Sequence, residues 1–375
     1  MPPPAARRAP ASIVLAAAIA VLAAAGCLPP AVRADAAPGE PHVVVVSIDG
    51  LRPDAIARFD APTLQRLVRE GAHTLDARTI LPAKTLPSHT SMLTGVEPAV
   101  HGVTWNSDRT DEHDESDAPA TLAVPTVFAL ASDAGLRTAA FFSKAKFHHL
   151  QTPGSLDYTQ APRFTWAPWG AVRTSEDAAW YIRRARPNLT FVHIAEPDIA
   201  GHAIGWMTPA YGANVAIADR AVARIVEAAD ATFGPDGYTL VVTADHGGHG
   251  RNHGVSGGDS LDVTIPWIAH GARVRAGTRL DAVDVHTTAT ASTALWLLGV
   301  PRPASWPSPP VTAAFRVDSA LAAPTAPAAS AAPTDTVRPS GAPPDATPPD
   351  ATPTGACVGA GAARSHAGQR PCPTP

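Results

Sequence analysis

Cysteine is nearly absent: the 375-residue chain has three, Cys27, Cys357 and Cys372. The first falls in an N-terminal targeting segment. The other two lie close to the C-terminal end, where an oxidising compartment would allow them to pair with each other. None falls in the expected core, which excludes a thiolate metal site and a cysteine nucleophile. A charge excess is missing as well. With 29 basic and 33 acidic residues and a net charge of −4, the chain has no electrostatic footprint for a nucleic-acid duplex. It also lacks a hydrophobic run long enough to span a bilayer. Arg7 and Arg8 precede an apolar stretch from about Ile13 to Ala25, too short for a comfortable span and suited to a signal h-region.

Export is therefore expected, to the periplasm, the cell envelope or the extracellular space. Ala34-Asp35-Ala36 fits a small-x-small cleavage site, making residues 1–36 a signal peptide. The competing reading is a lipoprotein box at Ala24-Ala25-Gly26-Cys27, which would leave Cys27 lipidated; it lacks the usual leucine three residues before the cysteine. Of the 40 prolines, 17 fall in the last 75 residues. From about Pro301 the chain is rich in Pro, Ala, Thr and Ser, with the duplication Pro343-Pro344-Asp345-Ala346-Thr347 and Pro348-Pro349-Asp350-Ala351-Thr352. Such a composition buries too little apolar surface to fold. The expected organisation is a signal at 1–36, a catalytic domain at 37–303 and a disordered tail at 304–375, inert or attached to the envelope.

Between these ends, strand and helix patterns alternate. His42-Val43-Val44-Val45-Val46-Ser47-Ile48 reads as a strand buried on both faces. A helix follows over Pro62 to Glu70, with Leu64, Leu67 and Val68 on one face. Further helices are expected over Thr126–Ala134, Ser175–Ala185, Ala210–Ala229 and Thr290–Leu298, and strands over Arg137–Phe142, Leu189–Ile194 and Tyr238–Thr243. This alternation predicts an α/β fold with a mostly parallel sheet, whose ligands gather at the carboxyl ends of the strands.

Acidic and histidine residues stand at those ends. Asp49 follows the first strand, Asp198 and His202 follow the Leu189 strand, and Asp245-His246 follows the Tyr238 strand, with His253 shortly after. Carboxylates and imidazoles without cysteine suit zinc or a similar divalent ion. Adding Thr85 makes seven potential ligands, enough for two metals with open positions. Two ions about 4 Å apart clamp the attacking and leaving oxygens of a phosphoryl transfer. Each residue has a blander reading: Asp49-Gly50 as a turn, Asp198 as a helix cap, Thr85 as an N-cap. Three acidic residues, each just past a buried strand, weigh against coincidence. In Leu81-Pro82-Ala83-Lys84-Thr85-Leu86-Pro87-Ser88-His89, a nearby metal would activate the Thr85 hydroxyl, and a helix beginning there would aim its N-terminus at a phosphate.

These residues, in this order, resemble the alkaline phosphatase superfamily, most closely its nucleotide pyrophosphatase/phosphodiesterase branch. The resemblance rests on Ile48-Asp49-Gly50-Leu51-Arg52, Lys84-Thr85-Leu86-Pro87-Ser88-His89, Thr94-Gly95, His101-Gly102, Asn106, Glu196-Pro197-Asp198, Gly201-His202 and Ala244-Asp245-His246-Gly247, and covers about Val43 to Pro303. It implies a three-layer α/β/α fold, two zinc ions and a small phosphate-ester substrate, nucleotides included. Asp49, Thr85, Asp245 and His246 would hold one metal. Asp198, His202 and a further histidine would hold the other, and Asn106 would donate to a non-bridging phosphate oxygen. The last ligand in that branch lies far downstream, beyond an insertion this chain lacks. His253 is the candidate here, ahead of His249 and His286.

Ser143-Lys144-Ala145-Lys146 occupies a place where threonine-type phosphomonoesterases of the superfamily carry a basic pair. If Lys144 faces the metals, a monoester dianion becomes the better substrate; the alternative is two solvated surface lysines. Trp105 and Trp169 are candidates for a nucleobase stacking face, or core residues. A sulfatase is disfavoured because Thr85 cannot become a formylglycine. Export and a missing second large domain disfavour a phosphoglycerate-mutase role. A non-catalytic exported binding protein is the remaining alternative, and it predicts no bound metal.

Overall fold

The structure is a computed structural model that describes residues 40–106, 122–163, 170–254 and 259–316. The expected targeting segment, the three cysteines, Trp169 and residues 317–375 lie outside the described residues. The β-branched run becomes β1 (Val43–Ile48), every residue of which is buried. In chain order the other strands are β2 (Ala72–Arg78), β3 (Thr138–Phe142), β4 (Tyr158–Gln160), β5 (Leu189–Ile194), β6 (Thr239–Thr243), β7 (Thr264–Gly271) and β8 (Thr278–Arg279). The helices are α1 (Pro53–Arg58), α2 (Pro62–Glu70), α3 (Thr85–Thr94), α4 (Pro98–His101), α5 (Val127–Asp133), α6 (Ala171–Ala185), α7 (Glu196–Ile204), α8 (Pro209–Phe233), α9 (Ser260–Val263) and α10 (Ala289–Leu298), with a 3₁₀ segment at Ala145–Leu150.

The strands form one sheet in the order β4-β3-β5-β1-β6-β7-β2-β8. The stretch from β4 to β6 is parallel; β7 runs antiparallel to both β6 and β2. On one face α6 packs on β3 and β5, and α8 packs on α6, α7 and α2; on the other, α10 packs on β1, α3 and α5. Being covered on both faces explains why β1 reads as a continuous apolar run rather than an alternating one. Each of its fully buried valines contributes about 1.5–3 kcal/mol relative to exposure.

Helix α3 is unusual in composition, because all ten of its residues are buried and many are polar. The hydroxyls beyond Thr85 have partners. Thr90 Oγ1 donates to Leu86 O at 2.7 Å, Ser88 Oγ accepts from Thr79 Oγ1 at 3.1 Å, and Ser91 Oγ bonds His101 Nε2 at 3.0 Å. A satisfied polar helix is tolerated inside a core and is held rigidly there. Its first residue is Thr85.

The packed part continues past Pro303, where the composition changes. Trp306, Val311, Ala314 and Phe315 are buried, and Phe315 bridges to Val274. No helix among the described residues is long and apolar enough to cross a membrane.

Candidate active site

The sheet order brings the three acidic positions together, because β5, β1 and β6 are neighbours and all end at the same edge. Asp49 directly follows β1, Asp245 follows β6, and Asp198 sits in the first turn of α7, after β5. Gly50 allows the close approach. Its φ is +70°, and a Cβ there would lie 2.9 Å from Asp198 Cα. The backbone is stitched across this point by Asp198 N–H to Asp49 O at 3.0 Å and Gly50 N–H to Asp245 Oδ1 at 3.1 Å.

Two groups of side chains result, and within each the potential ligand atoms lie within 4.8 Å of one another: Asp49, Asp245 and His246, and Asp198, His202 and His253. In the first, His246 Nε2 is 3.4 Å from Asp49 Oδ1 and 3.2 Å from Asp245 Oδ2. In the second, Asp198 Oδ1 is 3.3 Å from His202 Nε2 and 3.6 Å from His253 Nε2. The groups adjoin: His246 Nε2 is 4.0 Å from Asp198 Oδ1, and the His246 and His253 rings stack at 3.7 Å. Among the described residues, Asp49 Oδ1, Asp198 Oδ1, Asp245 Oδ2 and His246 Nε2 are buried without a hydrogen bond. Four unpaired donor atoms of this chemistry facing one another is costly for a protein alone and suits divalent cations. The donor set fits two such ions.

The electrostatics agree with that fit. Burial, then the charges of Asp49 and Asp198, push the Asp245 carboxyl well above its ordinary range. Burial also raises Asp49, but the Lys144 ammonium and His193 outweigh it and hold Asp49 well below that range. Burial, followed by neighbouring His246, lowers His253 to about 3, so its imidazole is neutral and able to ligate. His202 is raised by the Asp198 carboxylate beside its Nε2. Three carboxylates crowd one pocket, more potential negative charge than Lys144 neutralises, and Asp245 is the one pushed up.

Thr85 is 1% exposed and is tied to this pocket through its neighbours. His89 Nδ1 bonds Thr85 O at 2.8 Å and lies 3.4 Å from Asp245 Oδ2; His253 Nδ1 bonds Ala83 O at 2.8 Å. Asn106 Oδ1 accepts from Leu86 N–H and from Lys146 Nζ, both at 3.0 Å. Lys144 Nζ reaches Asp49 Oδ2 at 2.7 Å and Asp198 Oδ2 at 2.5 Å. The chain has only three lysines, Lys84, Lys144 and Lys146; the last two reach into the pocket and the first precedes Thr85.

The other histidine candidates are placed differently. His249 Nδ1 bonds Asp262 Oδ1 at 2.8 Å, and exposed His286 bonds Asp284 at 3.1 Å. Trp105 packs edge-on to His149. Two residues without a role in the sequence reading stand behind the carboxylates. His193 Nε2 donates to Asp49 Oδ2 at 2.9 Å while its Nδ1 accepts from Ser143 N–H at 3.3 Å, and His89 Nε2 bonds Ser47 Oγ at 2.9 Å. The available signal for His193 was a single histidine inside the otherwise apolar run Leu189–Ile194.

Residues 43–291 match the family model for type I phosphodiesterase / nucleotide pyrophosphatase. The chain belongs to this family. Among its relatives are a bis(5'-adenosyl)-triphosphatase of Xenopus laevis, 24% identical over 224 residues, 55% of this chain and 47% of that one, and venom phosphodiesterase 2 of Crotalus adamanteus, 24% identical over 220 residues, 55% of this chain and 26% of that one. This family member thus spans about half of the first relative and about a quarter of the second. In fold it is similar to an inactive murine ectonucleotide pyrophosphatase/phosphodiesterase 5 in complex with AMP, with a TM-score of 0.59 at 17% identity, covering 73% of this chain and 98% of that one. A 2-O GAG sulfatase is similar at a TM-score of 0.60 and 16% identity, covering 74% of each chain. The likeness is one of fold: the sheet covered by helices on both faces, a three-layer α/β/α arrangement.

Proposed function

We propose that this chain is an exported phosphoric-ester hydrolase of the phosphodiesterase/nucleotide pyrophosphatase type, dependent on two divalent metal ions of the zinc kind and working through a phospho-threonine intermediate on Thr85. The observation that carries this reading is the convergence of Asp49, Asp198 and Asp245, with unpaired oxygens, beside His246, with His89 Nδ1 between Asp245 and the Thr85 carbonyl. Asp49, Asp245, His246 and Thr85 hold one ion, and Asp198, His202 and His253 the other. When bound, the ions supply a lowered pKa for a hydroxyl and neutralisation of charge on the phosphoryl oxygens.

Thr85 Oγ attacks phosphorus in line; its bond to phosphorus forms as the bond to the leaving oxygen breaks, and the hydroxyl proton is released. Thr85 stands at the start of α3, so the positive end of that helix dipole lies toward the phosphate, while Leu86 N–H is taken by Asn106 Oδ1 and Ser88 N–H by Lys84 O. Asn106, anchored at its Oδ1 by Leu86 N–H and Lys146, presents its NH₂ to a non-bridging oxygen. Water then adds to phosphorus, the Thr85–phosphate bond breaks, and Thr85 regains a proton. Nucleotide substrates enter this reading from the named activities of the relatives.

A second reading, a phosphomonoesterase, is favoured by one observation: Lys144 and Lys146 both reach the pocket rather than solvent. Two cations near phosphate favour a dianion over a diester monoanion. The test compares p-nitrophenyl phosphate, its bis-substituted diester and a dinucleotide polyphosphate, each with and without chelator. Thr85→Ala is expected to lower turnover at least about 1,000-fold while metal content stays near two equivalents. Retained activity removes Thr85 from its role, and an absence of bound metal favours a non-catalytic binding protein.

A further inference from the structure

One buried carboxylate outside the pocket is used twice on the loop that carries His253. Asp262 lies in α9 and is 1% exposed. Its Oδ1 accepts from His249 Nδ1 at 2.8 Å, and its Oδ2 accepts from Gly254 N–H at 2.8 Å. The same short helix takes two more bonds from the loop, Gly247 N–H to Asp262 O at 2.8 Å and Gly248 N–H to Leu261 O at 2.9 Å. Gly254 directly follows His253 and has a φ of +68°, a left-handed turn that glycine adopts without strain. The His253 ring is held separately, by Ala83 O.

We propose that Asp262 is a positioning residue: together with His249 it braces residues 249–254 so that His253 Nε2 faces Asp198 and His202. This rests on the reading of His253 as a metal ligand. A carboxylate suits the task because both partners are N–H donors, and only an acceptor at each oxygen satisfies both. His249 thus acts on the metal pocket through Asp262 and the loop. Backbone partners of this kind set ligand orientation, and losing one typically weakens metal affinity about 10–100-fold.

The experiment measures Co²⁺ affinity at each of two sites by chelator competition, together with the cobalt absorption spectrum, in the full chain without substrate. The wild-type chain is expected to bind two ions. Asp262→Ala is expected to weaken one site about 10–100-fold and shift its cobalt absorption, leaving the other site as it was. His249→Ala, a change at a partly exposed side chain, is expected to produce a smaller loss at the same site. If Asp262→Ala fails to fold, His249→Ala decides: a loss confined to one site supports the brace, and unchanged affinity overturns it. Equal weakening of both sites in Asp262→Ala, or none, also overturns it. A wild-type chain that binds no cobalt fails the metal reading itself, a result distinct from the others.

Discussion

At the scale of single residues, the pocket is governed by which charges water can no longer screen. Lys146 illustrates this. Burial, followed by repulsion from Lys144, lowers its ammonium to about 8, so it is charged below that pH and loses its proton as pH rises through it. If the monoester reading holds, kcat/KM for p-nitrophenyl phosphate falls on the alkaline side of about pH 8, and Lys146→Arg, which stays charged, removes that limb. Lys146→Ala should cost the monoester about 10–100-fold and the diester less. A pH profile in which wild type and Lys146→Arg coincide counts against a role for this lysine. Asp49 is the contrasting case: Lys144 and His193 keep it ionised in spite of its burial, as the proposed role of metal ligand requires.

Elements matter here chiefly as hinges that must not move. Helix α7 carries both Asp198 and His202, and the indole of Trp206 is wedged against it. A Cβ at Gly201 would meet that ring at 2.6 Å, and one at Gly248 would meet it at 2.2 Å. The indole Nε1 also donates to Gly50 O at 2.9 Å, so one side chain links α7, the turn after β1 and the loop after β6. Gly201→Ala is therefore expected to destabilise the fold by about 1–3 kcal/mol through overpacking, read as a lower urea midpoint at constant slope. An unchanged midpoint means that Trp206 yields at no cost and does not fix α7. Helix α3 plays the matching part for Thr85. Its hydroxyls beyond Thr85 and the His89 imidazole are paired, so the helix is held by a network rather than by apolar packing alone.

For the whole molecule, the pocket is a site where binding energy becomes folding energy. Three carboxylates share it with His246 and His253, whose rings burial keeps neutral. Ions that neutralise this charge in the folded chain and find no such site in the unfolded one stabilise by mass action, by about 2.7 kcal/mol per site at 100 times the dissociation constant. Added zinc should accordingly raise the unfolding midpoint and excess chelator should lower it. A midpoint indifferent to both argues that no ion is held there. The part of the chain responsible extends to Arg316, since Trp306 and Phe315 pack against the main body.

Much of this was legible in one dimension. The valine run of β1, the repeating strand–helix rhythm and the turn residues after Ile48, Ile194 and Thr243 are local patterns, and local sterics and burial determine them. So the α/β class, the parallel centre of the sheet and the position of Asp49, Asp198 and Asp245 at strand ends follow from sequence alone. Other features needed the third dimension. β2 and the reversed β7 have no periodic signal strong enough to assign, because β7 is set by its pairing with β6 and β2. Whether Lys144 faced solvent or carboxylates, and whether His249 turned toward the pocket or toward Asp262, depended on partners 95 and 13 residues away in the chain. Local propensity carries no information about such partners; only the packed sheet and its loops bring them within hydrogen-bonding distance.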